Sequence, residues 1–214
     1  MKYRLAVFDM DGTILYTLKD IVDGLNYALM KNNLPARDAD AIRRTIGNGI
    51  RMEVKRNIPA DCDAQTEDKV FADFNEWYAV HCADHTKPYD GIMELLARLK
   101  EAGMKTAVVS NKGDYAVQEL NQTYFNGIFD AALGEKEGIA KKPAPDMIEA
   151  VLKKMDIRIQ DAVYIGDSEV DIETARNAGM DCILVGWGYR DQEDLLAAGA
   201  KVIVASPEEL YELL

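Results

Sequence analysis

Asp9 and Asp11 stand two positions apart in the segment FDMDGT, directly after an apolar run and directly before Gly12. Asp and Gly are ordinary turn residues, so a strand could simply end here in a solvated turn. Two neighbouring carboxylates in different environments can instead share out chemistry, one attacking a substrate and one moving protons. Other segments bear on the choice. VVSN puts Ser110 and Asn111 after a second apolar run. IGDSEVD puts Gly166, Asp167 and Ser168 after a third, with Asp171 one helical turn on. In KKPAPD, Pro143 and Pro145 stiffen the chain around Lys142, although a solvated lysine before a helix with Pro145 in its first turn gives the same pattern. Carboxylates gathered at one edge repel one another and call for a cation. Hard oxygen ligands with little His or Cys point to Mg2+. With a lysine and a hydroxyl to receive phosphate oxygens, these residue types suit phosphoryl transfer.

The elements that must carry these residues follow from periodicity. Strands are predicted over Leu5–Phe8, Thr106–Val109, Ala131–Leu133, Ala162–Ile165, Cys182–Val185 and Lys201–Val204. Helices alternate with them over Gly91–Ala102, Asp114–Tyr124, Pro145–Met155, Glu169–Ala178 and Pro207–Leu213. That alternation means a parallel sheet covered on both faces, whose ligands bind beyond the carboxyl ends of the strands. Between the first strand and the rest lies a block of four predicted helices, Asp20–Lys31, Asp38–Ile46, Ile50–Asn57 and Thr66–Ala83. The fold expected is therefore α/β, a Rossmann-like parallel sheet core with an inserted α-helical cap. The core would comprise residues 1–15 and 88–214 and the cap residues 16–87.

Composition narrows the function classes. The chain has 214 residues, is 48% hydrophobic and 29% charged, and carries a formal net charge of −12. That charge excludes a nucleic-acid footprint, and no apolar stretch is long enough for a bilayer, so neither nucleic acid nor membrane is an expected partner. A local cation such as Lys142 can still favour an anionic substrate against the screened global field. Cys62, Cys82 and Cys182 show no metal or disulfide spacing, and the N-terminus reaches an acid too early for a secretory signal. The expected compartment is the cytoplasm, and the sequence is compatible with a monomer or a dimer.

Taken together and in order, FDMDGT, VVSNK, KKPAP and IGDSEVD resemble the haloacid dehalogenase superfamily of phosphatases. SNK at Ser110–Lys112, IGNG at Ile46–Gly49 and GDSEVDIETARNAG at Gly166–Gly179 resemble its phosphoglycolate phosphatase-like branch. The resemblance implies an Mg2+-dependent phosphatase acting on a small phosphorylated metabolite through an aspartyl phosphate. Asp9 would be the nucleophile and Asp11 the general acid/base. Asp9, the Asp11 backbone carbonyl and Asp167 would hold the metal. Ser110, Asn111 and Lys142 would bind the phosphoryl group, with Thr13 supporting that site and Asp171 orienting Lys142 or a metal-bound water. Lys142–Pro143 would be a candidate cis peptide. In the cap, Asn48 and Arg51 of the GNGIR segment would meet the leaving group, Arg51 through a carboxylate or second phosphate. Tyr16 and Thr17 depart from the acid and serine usual in that branch, which bears on the cap hinge and the substrate. A phosphomutase on the same fold, or a phospho-accepting signalling module, remains as an alternative. His81 and His85 share an i, i+4 spacing that can bind metal, but Cys82 stands where the metalloprotease form has Glu. Phe71, Phe74, Trp77 and Tyr78 read as cap core, and Trp187 and Tyr189 as packing near the site edge.

Overall fold

Leu5–Phe8 is buried at every residue, as a strand covered on both faces must be. In the computed structural model, which describes residues 1–214, this run forms β1. The chain continues through β2 (Leu15–Tyr16), α1 (Leu18–Lys31), α2 (Ala39–Arg43), α3 (Ile50–Asn57), α4 (Ala64–His81) and β3 (Lys87–Pro88). Helices and strands then alternate: α5 (Ile92–Glu101), β4 (Lys105–Gly113), α6 (Asp114–Leu120), β5 (Ala131–Glu135), α7 (Asp146–Met155) and β6 (Ala162–Gly166). The chain ends with α8 (Glu169–Ala178), β7 (Asp181–Val185), α9 (Gln192–Ala197), β8 (Ile203–Val204) and α10 (Pro207–Leu213).

The six-stranded sheet has the order β5-β4-β1-β6-β7-β8 and is parallel throughout. β1 lies between β4 and β6, with Phe8 level with Val108 and Ile165. Strand order departs from β1 in both directions, and beyond such a switch point open α/β sheets bind ligands. The register brings Asp9, Ser110 and Asp167 out side by side on that edge. Along β1 the side chains alternate. Leu5 and Val7 pack with Met147, Ile148 and Val151 on one face. Ala6 and Phe8 join the larger cluster, which runs on into Leu25, Phe74 and Tyr78 of the helical block.

The two crossings between the sheet and the helical block lie against each other. β2 pairs antiparallel with β3, Leu15 with Pro88 and Tyr16 with Lys87. No sequence signal marks two-residue strands that pair across the whole helical block. Asp20, fully buried in α1, fixes the second crossing. It accepts hydrogen bonds from the His85 and Thr86 backbone N–H groups at 3.0 and 2.8 Å and from the Thr86 hydroxyl at 2.8 Å. It also meets His85 Nδ1 at 2.8 Å, whereas His81 turns to Asp84 at 2.8 Å, so the two histidines do not converge.

Several predicted boundaries move. α2 spans Ala39–Arg43, with Asp38 as its N-cap accepting from the Asp40 N–H. β4 runs on through Ser110 to Gly113. α6 ends at Leu120 and passes into a π-helical turn over Asn121–Phe125. Phe74 and Tyr78 are buried and stacked at 5.0 Å, while Phe71 and Trp77 are half-buried against the same cluster. No helix is long and apolar enough to cross a membrane.

Candidate active site

Asp9 is the first residue past β1, and its N–H still donates to Ile165 O of β6 at 2.8 Å. Its side chain therefore starts from a fixed point of the sheet. Oδ1 accepts from the Met10 N–H at 2.7 Å and faces Lys142 Nζ at 2.9 Å. Both contacts fall on Oδ1.

Gly12 sits at φ +79°, and a Cβ there would lie 2.3 Å from Asp167 Oδ2. The loop thus needs glycine both for its left-handed turn and to admit the Asp167 carboxylate. Asp167 follows β6. Its Oδ1 accepts from the Thr13 hydroxyl at 3.2 Å and its Oδ2 from the Tyr189 N–H at 2.7 Å.

Lys142 and Asp171 form the base of the site. Lys142 Nζ donates to Asp171 Oδ1 at 2.8 Å and to the Tyr164 hydroxyl at 3.1 Å, with its side chain 1% exposed. The Lys142–Pro143 peptide is cis. Asp171 Oδ2 accepts from the Asp167 N–H, the Ser168 N–H and the Ser168 hydroxyl at 3.1, 3.0 and 2.7 Å. With Lys142 and Tyr164 on Oδ1, its acceptor capacity is taken by the protein, so Asp171 orients the lysine and caps α8.

Asp9, Asp167 and Asp171 bring carboxylate oxygens within 4.8 Å of one another, all buried. Burial pushes Asp9 up to about 7; Lys142 opposes this, and Asp171 and Asp11 add to it. Burial, then Asp171 and Asp9, push Asp167 well above the ordinary carboxylate range. Burial alone would depress the Lys142 ammonium, but Asp171 and Asp9 outweigh it and hold it well above 10.5. One buried ammonium thus contacts two of the three clustered carboxylates, and the excess negative charge suits a divalent cation.

Asp11 has different neighbours. Its Oδ1 accepts from the Thr17 hydroxyl at 2.6 Å and meets Lys112 Nζ at 3.1 Å, and Lys112 also donates to the Tyr78 hydroxyl at 2.8 Å. Thr17 is held in turn by Tyr189, whose hydroxyl accepts from the Thr17 N–H at 2.8 Å. The departure at Thr17 thus still places a hydroxyl on the second carboxylate.

Between the sheet edge and the helical block lies a cavity of about 40 Å³, room for a few waters. Asp9, Asp11, Ser110, Asn111 and Lys112 line it from the sheet, and Glu53 and Tyr78 from the helices. Two arginines bridge the core and the helical block. Arg190 bonds Glu169 at 2.7 Å on its own side and Ile46 O at 2.7 Å across the gap, while Arg43 donates to Tyr189 O. The Asn111 amide N–H groups reach Gly47 O at 3.0 Å and Lys142 O at 2.9 Å, a further bridge across it.

Of the residues predicted from sequence, Asp9, Asp11, Ser110, Asn111, Lys142, Asp167 and Asp171 converge on this edge. Thr13 serves Asp167 and does not line the cavity. Asn48 is half-buried outside the lining. Arg51 turns away: it pairs with Asp68 at 2.5 Å and covers the Phe71 ring at 3.9 Å, with its side chain 43% exposed. Sequence reasoning missed Lys112, Glu53, Tyr164 and the double role of Tyr189. Lys112 had a signal, since it directly follows Ser110 and Asn111, but the other three depend on tertiary contact.

The switch point of this parallel sheet thus carries buried carboxylates, a hydroxyl and a lysine, the parts of a hydrolytic site. The profile of haloacid dehalogenase-like hydrolases matches residues 6–185, and the chain belongs to that family. A phosphoglycolate phosphatase from Mesorhizobium japonicum is 31% identical over 198 residues, covering 90% of this chain and 86% of its own. An N-acetylmuramic acid 6-phosphate phosphatase from Pseudomonas aeruginosa is 32% identical over 216 residues, covering 100% and 96%. A solved structure from Lactobacillus delbrueckii subsp. bulgaricus is 41% identical, with a TM-score of 0.95 over 100% of this chain and 98% of that one.

Proposed function

We propose that this phosphatase hydrolyses a small phosphate monoester through a phosphoryl group carried on Asp9, with Mg2+ as cofactor. The observation that supports it most is the differentiated carboxylate pair. Asp9 is buried against Lys142 at 2.9 Å, and Asp11, two residues on, is held by Thr17 and Lys112 at the cavity.

In this reading an Asp9 carboxylate oxygen attacks phosphorus, the bond to the leaving oxygen breaks, and Asp11 gives that oxygen its proton. Asp11 then takes a proton from water, whose oxygen bonds phosphorus and releases the Asp9 carboxylate. Lys142 neutralises Asp9 and the transferred group, while Ser110 and the backbone beside it receive phosphate oxygens. Asp9, Asp167 and the Asp11 carbonyl would hold Mg2+, which when bound supplies charge neutralisation for the phosphoryl oxygens. Residues 16–87 would act as the cap over a core of residues 1–15 and 88–214, excluding bulk water when closed. Transfer to a sugar hydroxyl instead of water would make a phosphomutase, and nothing in the site favours that outcome.

The test is Asp9→Asn. The variant should keep the wild-type circular dichroism spectrum and lose Mg2+-dependent hydrolysis of p-nitrophenyl phosphate. Wild-type turnover by the folded variant contradicts the reading. Isomerised sugar phosphate with little free phosphate would replace hydrolysis with mutase chemistry.

A further inference from the structure

Glu53 is the one acid on the helical side of the cavity. It sits in the first turn of α3, 6% exposed, in the cavity shared with Asp9 and Asp11. No side chain donates to its carboxyl, and the hydrogen bond that acts on it comes from the Gly47 backbone. Every cation near the site has another partner. Lys112 is held by Asp11 and Tyr78, Lys142 by Asp9 and Asp171, Arg56 donates to Thr45 O, and Arg51 faces Asp68. A second acceptor, Asn111 Oδ1, is also buried without a partner.

A buried carboxyl with no side-chain donor is costly, so its place at the cavity calls for a ligand that brings further donors. Burial pushes Glu53 up to about 7, with the Asp11 charge adding to the effect and Lys112 opposing it. A leaving group that carries a carboxylate would bring a like charge against Glu53, whose nearby cations Lys112 and Arg56 already hold other partners. A leaving group that carries hydroxyls would supply further donors.

We propose that Glu53 is a specificity-determining residue that accepts hydrogen bonds from hydroxyls of the leaving-group alcohol. The substrate class is therefore the phosphate monoester of a polyol or sugar, with carboxylate-bearing esters such as phosphoglycolate disfavoured. The inference rests on the phosphatase reading above and specifies its substrate.

The experiment compares kcat/KM for sorbitol phosphate and for phosphoglycolate, using the full chain with Mg2+. The wild type should favour sorbitol phosphate by about tenfold or more, the scale on which a site loses affinity when a substrate lacks its hydrogen-bonding partner. Glu53→Gln, which replaces the acid by an amide that can donate to a carboxylate, should shift the ratio toward phosphoglycolate by about tenfold. The readout is a ratio within one protein, so a general loss of activity cancels, and a gain on phosphoglycolate cannot come from misfolding. A wild type that prefers phosphoglycolate, or an unchanged ratio in Glu53→Gln, overturns the inference alone. Should that variant fail to fold, the wild-type ratio decides. Failure of the folded wild type to release phosphate from any ester, p-nitrophenyl phosphate included, overturns the phosphatase reading itself.

Discussion

Replacing Lys142 by Met removes the ammonium that lies 2.9 Å from Asp9 and 2.8 Å from Asp171 while keeping much of the side-chain volume. Two buried carboxylates then lose the cation beside them. Breaking a buried pair by deleting one partner costs about 3–5 kcal/mol, chiefly through the charge left behind. For a chain of this size that corresponds to a fall of roughly 6–20 °C in Tm. The penalty depends on pH through Asp9. Asp9 is raised to about 7 already, so the folded state holds its proton more tightly than the unfolded one does. Loss of Lys142, the largest influence holding it down, raises it further. The destabilisation is then fully present above the folded pKa and shrinks as pH falls below it, where protonation discharges Asp9. Thermal unfolding of metal-free wild type and Lys142→Met, followed by circular dichroism at about pH 8 and about pH 5, checks both statements. Equal Tm values at the higher pH, or a larger penalty at the lower one, would refute the reasoning.

Three further outcomes follow from the same geometry. Thr17→Val removes the hydroxyl that donates to Asp11 Oδ1 at 2.6 Å; kcat should fall about tenfold or more, measured on p-nitrophenyl phosphate, while Asp9 phosphorylation persists. Arg190→Ala cuts the bond from the core to Ile46 O; cap closure should weaken, seen as a raised KM and faster amide exchange in α2 and α3. Below about 7 Asp9 holds a proton that Mg2+ must displace, so the Tm gained on adding Mg2+ should be larger at about pH 8 than at about pH 5.

The residues that could be read in advance are those that follow strands. Asp9, Ser110 and Asp167 each come directly after an apolar run, and in a parallel sheet that position alone brings them to one edge. Lys142 was legible through its two prolines. The helical block was less so, and α3 shows why. Its sequence IRMEVKRN has no apolar stripe, so nothing local indicates which face turns inward. Residues two apart on a helix point in different directions, and the fold sends Glu53 to the cavity and Arg51 to Asp68. The pairing of β2 with β3 escaped for another reason. Two residues hold too little pattern to mark a strand, and the pairing depends on contacts distant in sequence. Tyr189 likewise gives its backbone to Asp167 and its hydroxyl to Thr17 only once β7 is docked beside β6.

The central claim is that Asp9 carries the phosphoryl group during turnover. Acid quenching of the enzyme in the first turnovers with a small monoester and Mg2+, followed by peptide mass spectrometry, tests it most directly. A phosphoryl adduct is expected on the peptide spanning Asp9, absent in Asp9→Asn and longer-lived in Asp11→Asn, which cannot activate water. Steady turnover with no adduct at any time point, or an adduct on another residue that survives Asp9→Asn, would contradict it.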